Sequence, residues 1–129
     1  MLSLQVVTPE GKTLEQEVDE VTVPGLLGEF GVLPGHVPML SAIKTGVLRY
    51  RKGSDKGLLA VGAGFAEVNG RDKVVALVQR AVLQAKLSEE AAESLLEQAN
   101  ERLKVNKSDR VAEADRDFAH AQLAALGKK

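Results

Sequence analysis

Leu58-Leu59-Ala60-Val61-Gly62-Ala63-Gly64-Phe65-Ala66-Glu67-Val68-Asn69-Gly70-Arg71-Asp72-Lys73-Val74-Val75-Ala76-Leu77-Val78 is a run of β-prone segments divided by two turn clusters. Segments this short, punctuated this often, predict an antiparallel sandwich or barrel. Asn69-Gly70 is the best single hairpin signal in the chain. Outward from this run the pattern repeats. Val47-Leu48-Arg49-Tyr50-Arg51 precedes a hairpin loop at Lys52-Gly53-Ser54-Asp55-Lys56-Gly57. Val18, Val21 and Val23 lie in a β-branched stretch closed by Pro24-Gly25, and Leu2-Ser3-Leu4-Gln5-Val6-Val7 alternates until Thr8-Pro9-Glu10-Gly11 turns the chain.

Past residue 84 the composition changes. All four prolines and all but one of the 12 glycines lie before residue 85, and the remainder is rich in Ala, Leu, Glu and Lys. Two helices are expected there. Ser88 is a suitable N-cap, with Glu89 and Glu90 favourable in the first turn. Ala92, Leu95, Leu96, Ala99 and Leu103 form one apolar stripe. Lys104-Val105-Asn106-Lys107 interrupts it, and Ser108-Asp109 starts a second helix with Val111, Ala114, Phe118, Ala121 and Ala125 as its stripe. Gly127 fits a C′ position, with Lys128 and Lys129 beyond it where cations suit a helix end. The short connection implies an antiparallel helical hairpin whose Ala-rich stripes bury little area. The expected architecture is α+β: a β-sandwich over residues 1–84 and a helical hairpin over residues 85–129.

Composition bounds the function. The 129 residues carry 17 Lys and Arg against 18 Asp and Glu, a net charge of −1. A nucleic-acid binder needs a basic surplus to displace counterions, and the aromatic content of 3% gives few stacking platforms. With no Cys, thiol catalysis and zinc–thiolate sites are excluded. No apolar run reaches the roughly 20 residues that cross a bilayer, and the N-terminal residues lack signal-peptide character. A cytosol-facing protein is expected.

Enzymatic readings find little to stand on. His36 and His120 are the only histidines, and neither has the i, i+4 partner of a helical metal pair. No Gly-x-Ser-x-Gly elbow occurs. Gly62-Ala63-Gly64 lies between two strands and reads as a turn or bulge rather than a phosphate cradle. No catalytic residue, metal or cofactor is expected. A ligand-binding sandwich is the competing class, but such sites display clustered aromatics, and Phe30, Tyr50, Phe65 and Phe118 are scattered.

One segment stands apart. Gly28-Glu29-Phe30-Gly31-Val32-Leu33-Pro34-Gly35-His36-Val37-Pro38-Met39-Leu40 holds three glycines and two prolines between β stretches. Read from its residues, it is either a contact loop exposing Phe30 and Leu33 or a packed loop whose glycines and prolines fix dihedrals.

The same segment, continued by Ile43-Lys44-Thr45-Gly46-Val47-Leu48, resembles the signature of the ATP synthase epsilon subunit family. The resemblance extends through Gly62-Ala63-Gly64-Phe65-Ala66-Glu67-Val68 to the helical hairpin, and so covers nearly the whole chain. It implies a sandwich of about ten strands followed by two helices. It further implies a non-catalytic rotor part that sits on the gamma subunit and touches the polar loops of the membrane c-ring, coupling ion flow to rotation. The ring-contacting stretch corresponds to Glu29 through His36, with Glu29, Phe30, Gly31 and His36 as the implied contacts. Attachment would be peripheral, at the cytoplasmic face of the cell's inner membrane, through partners.

The resemblance also implies a hairpin that can extend into the catalytic head and block ATP hydrolysis. Arg110 and Arg116, with Lys128 and Lys129, would then face acidic residues of the beta subunit. Asp109, Glu113, Asp115 and Asp117 share that helix, which ends soon after Leu126, and these features imply a weak brake. Some relatives bind ATP through an Ile/Leu-Asp-x-x-Arg-Ala motif. The matching Leu87-Ser88-Glu89-Glu90-Ala91-Ala92 has Ser88 for the Asp and Ala91 for the Arg, so the charge-assisted contact is missing and no ATP sensing is expected.

Overall fold

The structure, a computed structural model, describes residues 1–127. Lys128 and Lys129, expected at the helix end and as basic contacts, lie outside the described residues. Ten strands are followed by a short 3₁₀ turn and two α-helices. The strands are β1 (Leu2–Thr8), β2 (Gly11–Val18), β3 (Glu20–Gly25), β4 (Gly28–Val32), β5 (Met39–Ile43), β6 (Gly46–Lys52), β7 (Asp55–Val61), β8 (Gly64–Val68), β9 (Lys73–Val78) and β10 (Ala81–Leu83). The helices are α1 (Glu89–Val105) and α2 (Arg110–Ala125).

One hydrogen-bonded path runs β10-β7-β6-β3-β5-β8-β9-β1-β2, and β4 branches from β3. The path folds over at β3, which pairs with β6 through Glu20–Thr22 and reaches β5 only through Gly25. Because β2 comes back to touch β6, the sandwich is nearly a closed barrel. All pairings are antiparallel except β1 with β9, which is parallel.

The alternation expected of β1 is met: Leu2, Leu4 and Val6 are fully buried. Their facing residues on β9, Val74 and Ala76, are buried as well. With Val18, Val21, Val23, Val32, Leu48, Leu59 and Val61 they fill one continuous core. Branched aliphatics dominate it because they pack well on a pleated surface. Two turns differ from expectation. The hairpin after β6 needs only Gly53-Ser54, with Gly53 left-handed at φ +61°. At Asn69-Gly70 the hairpin is present, but its connection has four residues, Asn69 to Asp72, and the left-handed position is Asp72 at φ +57°. There the Asn69 side chain accepts from the amides of Arg71 (2.8 Å) and Lys73 (3.1 Å), shaping the loop in place of a two-residue turn.

Both helix starts are as expected. Ser88 accepts from the Ala91 amide at 3.2 Å and Asp109 from the Ala112 amide at 3.0 Å, and Gly127 is left-handed past the last turn. The second stripe is met only in part: Phe118 and Ala121 are buried and Ala125 is half-buried. Val111 and Ala114 are exposed, while Ala112, Ala119 and Leu123 are buried. The reason is that α2 lies between α1 and the sheet, touching both. Phe118 and Ala121 pack with Ala60 of β7, and half-buried Val82, Leu87, Leu95 and Ala125 surround them. Ala112, Ala119 and Leu123 fall within about 40° of one another on the far side of the helix, where a second small interface forms.

Candidate contact site

The stretch 28–40 is not one loop. It is β4, a turn over residues 33–38, and the start of β5. β3 and β4 form a hairpin closed by Leu26-Leu27, with Gly28 at φ +129°. Alternation along β4 then assigns each residue its side. Val32 is fully buried and Phe30 is half-buried against the core, whereas Glu29 and Gly31 face out. Phe30 is therefore a packing residue, as the packed-loop alternative has it, whereas Leu33 is exposed, as the contact-loop alternative has it.

Glu29 accepts from Arg49 of β6 at 3.2 Å, with more than half of both side chains in solvent. Such a pair is worth little and readily exchanges partners. His36 sits in the turn, its amide donating to the Leu33 carbonyl at 3.0 Å. Its Nδ1 is 2.8 Å from the Val37 carbonyl. Since a carbonyl only accepts, the proton sits on Nδ1, which leaves Nε2 available to a partner.

The turn is tied to the β8–β9 connection. Gly35, at φ +88°, donates its amide to Asp72 Oδ1 at 2.7 Å. The Asp72 carbonyl also accepts from the Ser3 amide at 2.8 Å. Asp72 thus joins three segments, which explains an aspartate where φ alone would favour glycine. Sequence reading passed over this residue, since its role depends on a partner 37 positions away.

The outer sheet face carries an apolar patch that sequence reading also missed. On the outer face, Ala42, Phe65 and Leu77 stand in one row across β5, β8 and β9. Leu40 lies in the next row. Leu40 is 69% exposed, Phe65 55% and Leu77 52%. Strand β8 can approach β9 closely here because Gly64 has no side chain; a Cβ would run into the Leu77 carbonyl. The available signal was Phe65-Ala66-Glu67-Val68 alternation, which puts Ala66 and Val68 inside and thereby forces Phe65 out. A contiguous exposed apolar surface rimmed by polar groups is the usual mark of a protein contact.

The hairpin carries the other expected contacts. Arg110, the first residue of α2, is exposed, and Arg116 is half-buried beside Asp117 at 3.4 Å. Six residues apart, they stand about 120° apart around the helix and about 9 Å along it, so the folded hairpin does not bring them together. Arg102 of α1 forks onto Asp109, its Nε and Nη2 each 3.1 Å from a carboxylate oxygen. The Ala112 amide, followed by Arg102, holds the Asp109 carboxyl below the usual carboxylate range. His120 is exposed on α2, beside Asp117 and across a surface groove from Glu29 and Lys44. Among the described residues no group of three His, Asp or Glu is arranged to hold a metal.

Known proteins resemble this chain in sequence and in fold. Residues 1–84 match the family described as ATP synthase, Delta/Epsilon chain, beta-sandwich domain. The ATP synthase epsilon chain of Magnetococcus marinus is 44% identical over 129 residues, covering 97% of this chain and 93% of the relative. That of Geotalea daltonii is 44% identical, covering 98% and 94%. Among solved structures, a chain of the Euglena gracilis mitochondrial ATP synthase superposes with a TM-score of 0.78 at 27% identity, covering 97% of this chain and 81% of that one. A chain of the Tetrahymena thermophila mitochondrial ATP synthase central stalk and c-ring shares the fold at a TM-score of 0.56 and 13% identity, covering 67% and 69%.

Proposed function

Because the chain belongs to the ATP synthase delta/epsilon family, we propose that it couples c-ring rotation to the catalytic head by gripping the gamma subunit through its outer sheet face. It is an epsilon-type, non-catalytic subunit of the central stalk. The observation that carries the proposal is the exposed patch of Leu40, Phe65 and Leu77. Gamma is assigned to this patch, since a load-bearing contact needs an apolar centre that excludes water. The polar loops of the c-ring are assigned to the adjoining β4 edge and turn. There Glu29 offers a carboxylate whose present partner is weakly held, and His36 offers a free ring nitrogen.

Domain division follows the same lines, with residues 1–84 as the rotor-binding unit and 85–129 as the regulatory hairpin. Among the described residues no helix is long and apolar enough to cross a membrane. Attachment at the cytoplasmic face of the inner membrane then runs through the partners. Extension of the hairpin toward the beta subunit would spread Arg110 and Arg116 along an acidic surface, as a modest brake on ATP hydrolysis. Ser88 and Ala91 at the start of α1 leave that movement without an ATP signal.

The test is binding of the full chain to purified gamma subunit. Phe65→Glu and Leu77→Glu should each weaken it at least tenfold while melting of the sandwich stays near wild type. Unchanged binding by a folded Phe65→Glu chain refutes the assignment.

A further inference from the structure

We propose that Arg80 is a latch between the sandwich and the helical hairpin, and that its joint grip on Asp115 and Phe118 sets how often the hairpin leaves the sheet. Arg80 lies immediately before β10. Its guanidinium carbon stands 4.6 Å from the centroid of the Phe118 ring, and its Nη2 is 2.8 Å from Asp115 Oδ1. Asp115 and Phe118 are three residues apart on α2, hence neighbours on one face. The other oxygen of Asp115 is 3.9 Å from Arg102 Nη1 on α1. One carboxylate therefore receives a cation from the sandwich and another from the neighbouring helix.

The backbone at Arg80 is held in place to do this. Its carbonyl accepts from the Gly62 amide at 2.8 Å. A Cβ on Gly62 would come within 3.2 Å of the Arg80 Cγ, so the glycine leaves room for the arginine stem. Arginine suits the position better than lysine, because a planar guanidinium can stack on a ring and bond a carboxylate in the same pose.

The latch matters because the apolar dock is small. Phe118 and Ala121 meet Ala60, with Val82, Leu87, Leu95 and Ala125 only half-buried around them. Alanines contribute little buried area each, so the charged contact is a large share of what holds α2 down. Arg80 and Asp115 keep 35% and 21% of their side-chain surface in water, which leaves the pair open to screening by salt. This latch is a property of the free chain and stands whether or not the hairpin brakes ATP hydrolysis.

The full chain by itself is the test sample. Since it has no Cys, Lys56→Cys and Glu97→Cys can carry a spin-label pair reporting the sandwich-to-hairpin distance, read beside hydrogen exchange of α1 and α2. Arg80→Met should raise exchange in α2 about five- to tenfold and broaden the distance distribution, with β1 and β9 unchanged. Asp115→Asn should do the same, and the double variant should exceed either single by little. Arg80→Lys should fall between wild type and Arg80→Met. Raising salt from about 0.05 to 0.5 M should accelerate α2 exchange in wild type more than in Arg80→Met. Wild-type exchange and distances in Arg80→Met overturn the latch. So does equal acceleration of β1, β9 and the helices, which would make Arg80 a general stabiliser of the fold.

Discussion

Replacing Phe118 with Ala should detach the hairpin without unfolding the sandwich. Phe118 is 4% exposed and lies at the centre of the hairpin's contact with β7. Truncating a buried phenylalanine costs about 3–5 kcal/mol. The lower end applies here, because the neighbouring half-buried side chains can close over part of the space. About 3 kcal/mol is about a hundredfold in the opening equilibrium, before loss of the ring under Arg80 is counted. None of the buried residues around Phe118 belongs to the sandwich core cluster, so that core keeps its own packing. Once undocked, α1 and α2 share mainly buried alanines (Ala92, Ala99, Ala112 and Ala119), too little area to keep a free hairpin folded. Hydrogen exchange with peptide resolution is the assay. Amides of α1 and α2 should exchange about a hundredfold faster, and those of β1 and β9 at the wild-type rate. If helix and strand amides accelerate together, the hairpin and sandwich are one cooperative unit and the reasoning fails. If neither accelerates, Phe118 is not what holds the hairpin.

Individual contacts carry further expected outcomes. Asp109 has its carboxyl held below the ordinary aspartate range, so its contribution is complete above the unfolded value of about 3.9 and fades as pH falls through the lower folded value. Helical circular dichroism monitored from pH 6 downward should show a loss of helix content that Asp109→Asn has already taken at pH 6. Gly64→Ala must push β8 away from the Leu77 carbonyl. Overpacking of this kind costs about 1–3 kcal/mol, or roughly 4–8 °C of melting temperature per kcal/mol for a domain of this size; melting as in wild type would show that the strands can separate freely. Glu29→Ala with His36→Ala should lower ATP-driven ion pumping in the assembled enzyme while the free chain melts near wild type, since Glu29 is exposed and the half-buried His36 ring bonds only the adjacent Val37 carbonyl. A large drop in melting temperature would make the turn a packing element instead.

How far the sequence could be read depended on how much each residue type reveals. Strands with one apolar face declared themselves: Leu2, Leu4 and Val6 alternate with polar residues, and all three are buried. β2 was silent because Gly11-Lys12-Thr13-Leu14-Glu15-Gln16-Glu17-Val18 buries only Val18 fully at the end of the sheet path. β4 and β5 were hidden by glycines and prolines that normally end strands, and β10 has only three residues. The stripe on α2 was right at Phe118, Ala121 and Ala125 but wrong at Val111 and Ala114, because the helix buries two sides rather than one and alanine fits a buried or an exposed position equally well.

Local chemistry, then, determined by itself that strands come first and helices last, and where the helices are capped. Caps, turns and alternation are short-range effects and can be read within a few residues. Only the tertiary structure decided that Phe65, Leu77 and Leu40 share one outward face, since neighbouring strands put together residues far apart in the chain. It also decided that Asp72 anchors the turn holding His36 and that Arg80 meets α2. Each of these depends on the sheet's register and on which side of the sandwich the hairpin lies, and both are set by burial summed over the whole core.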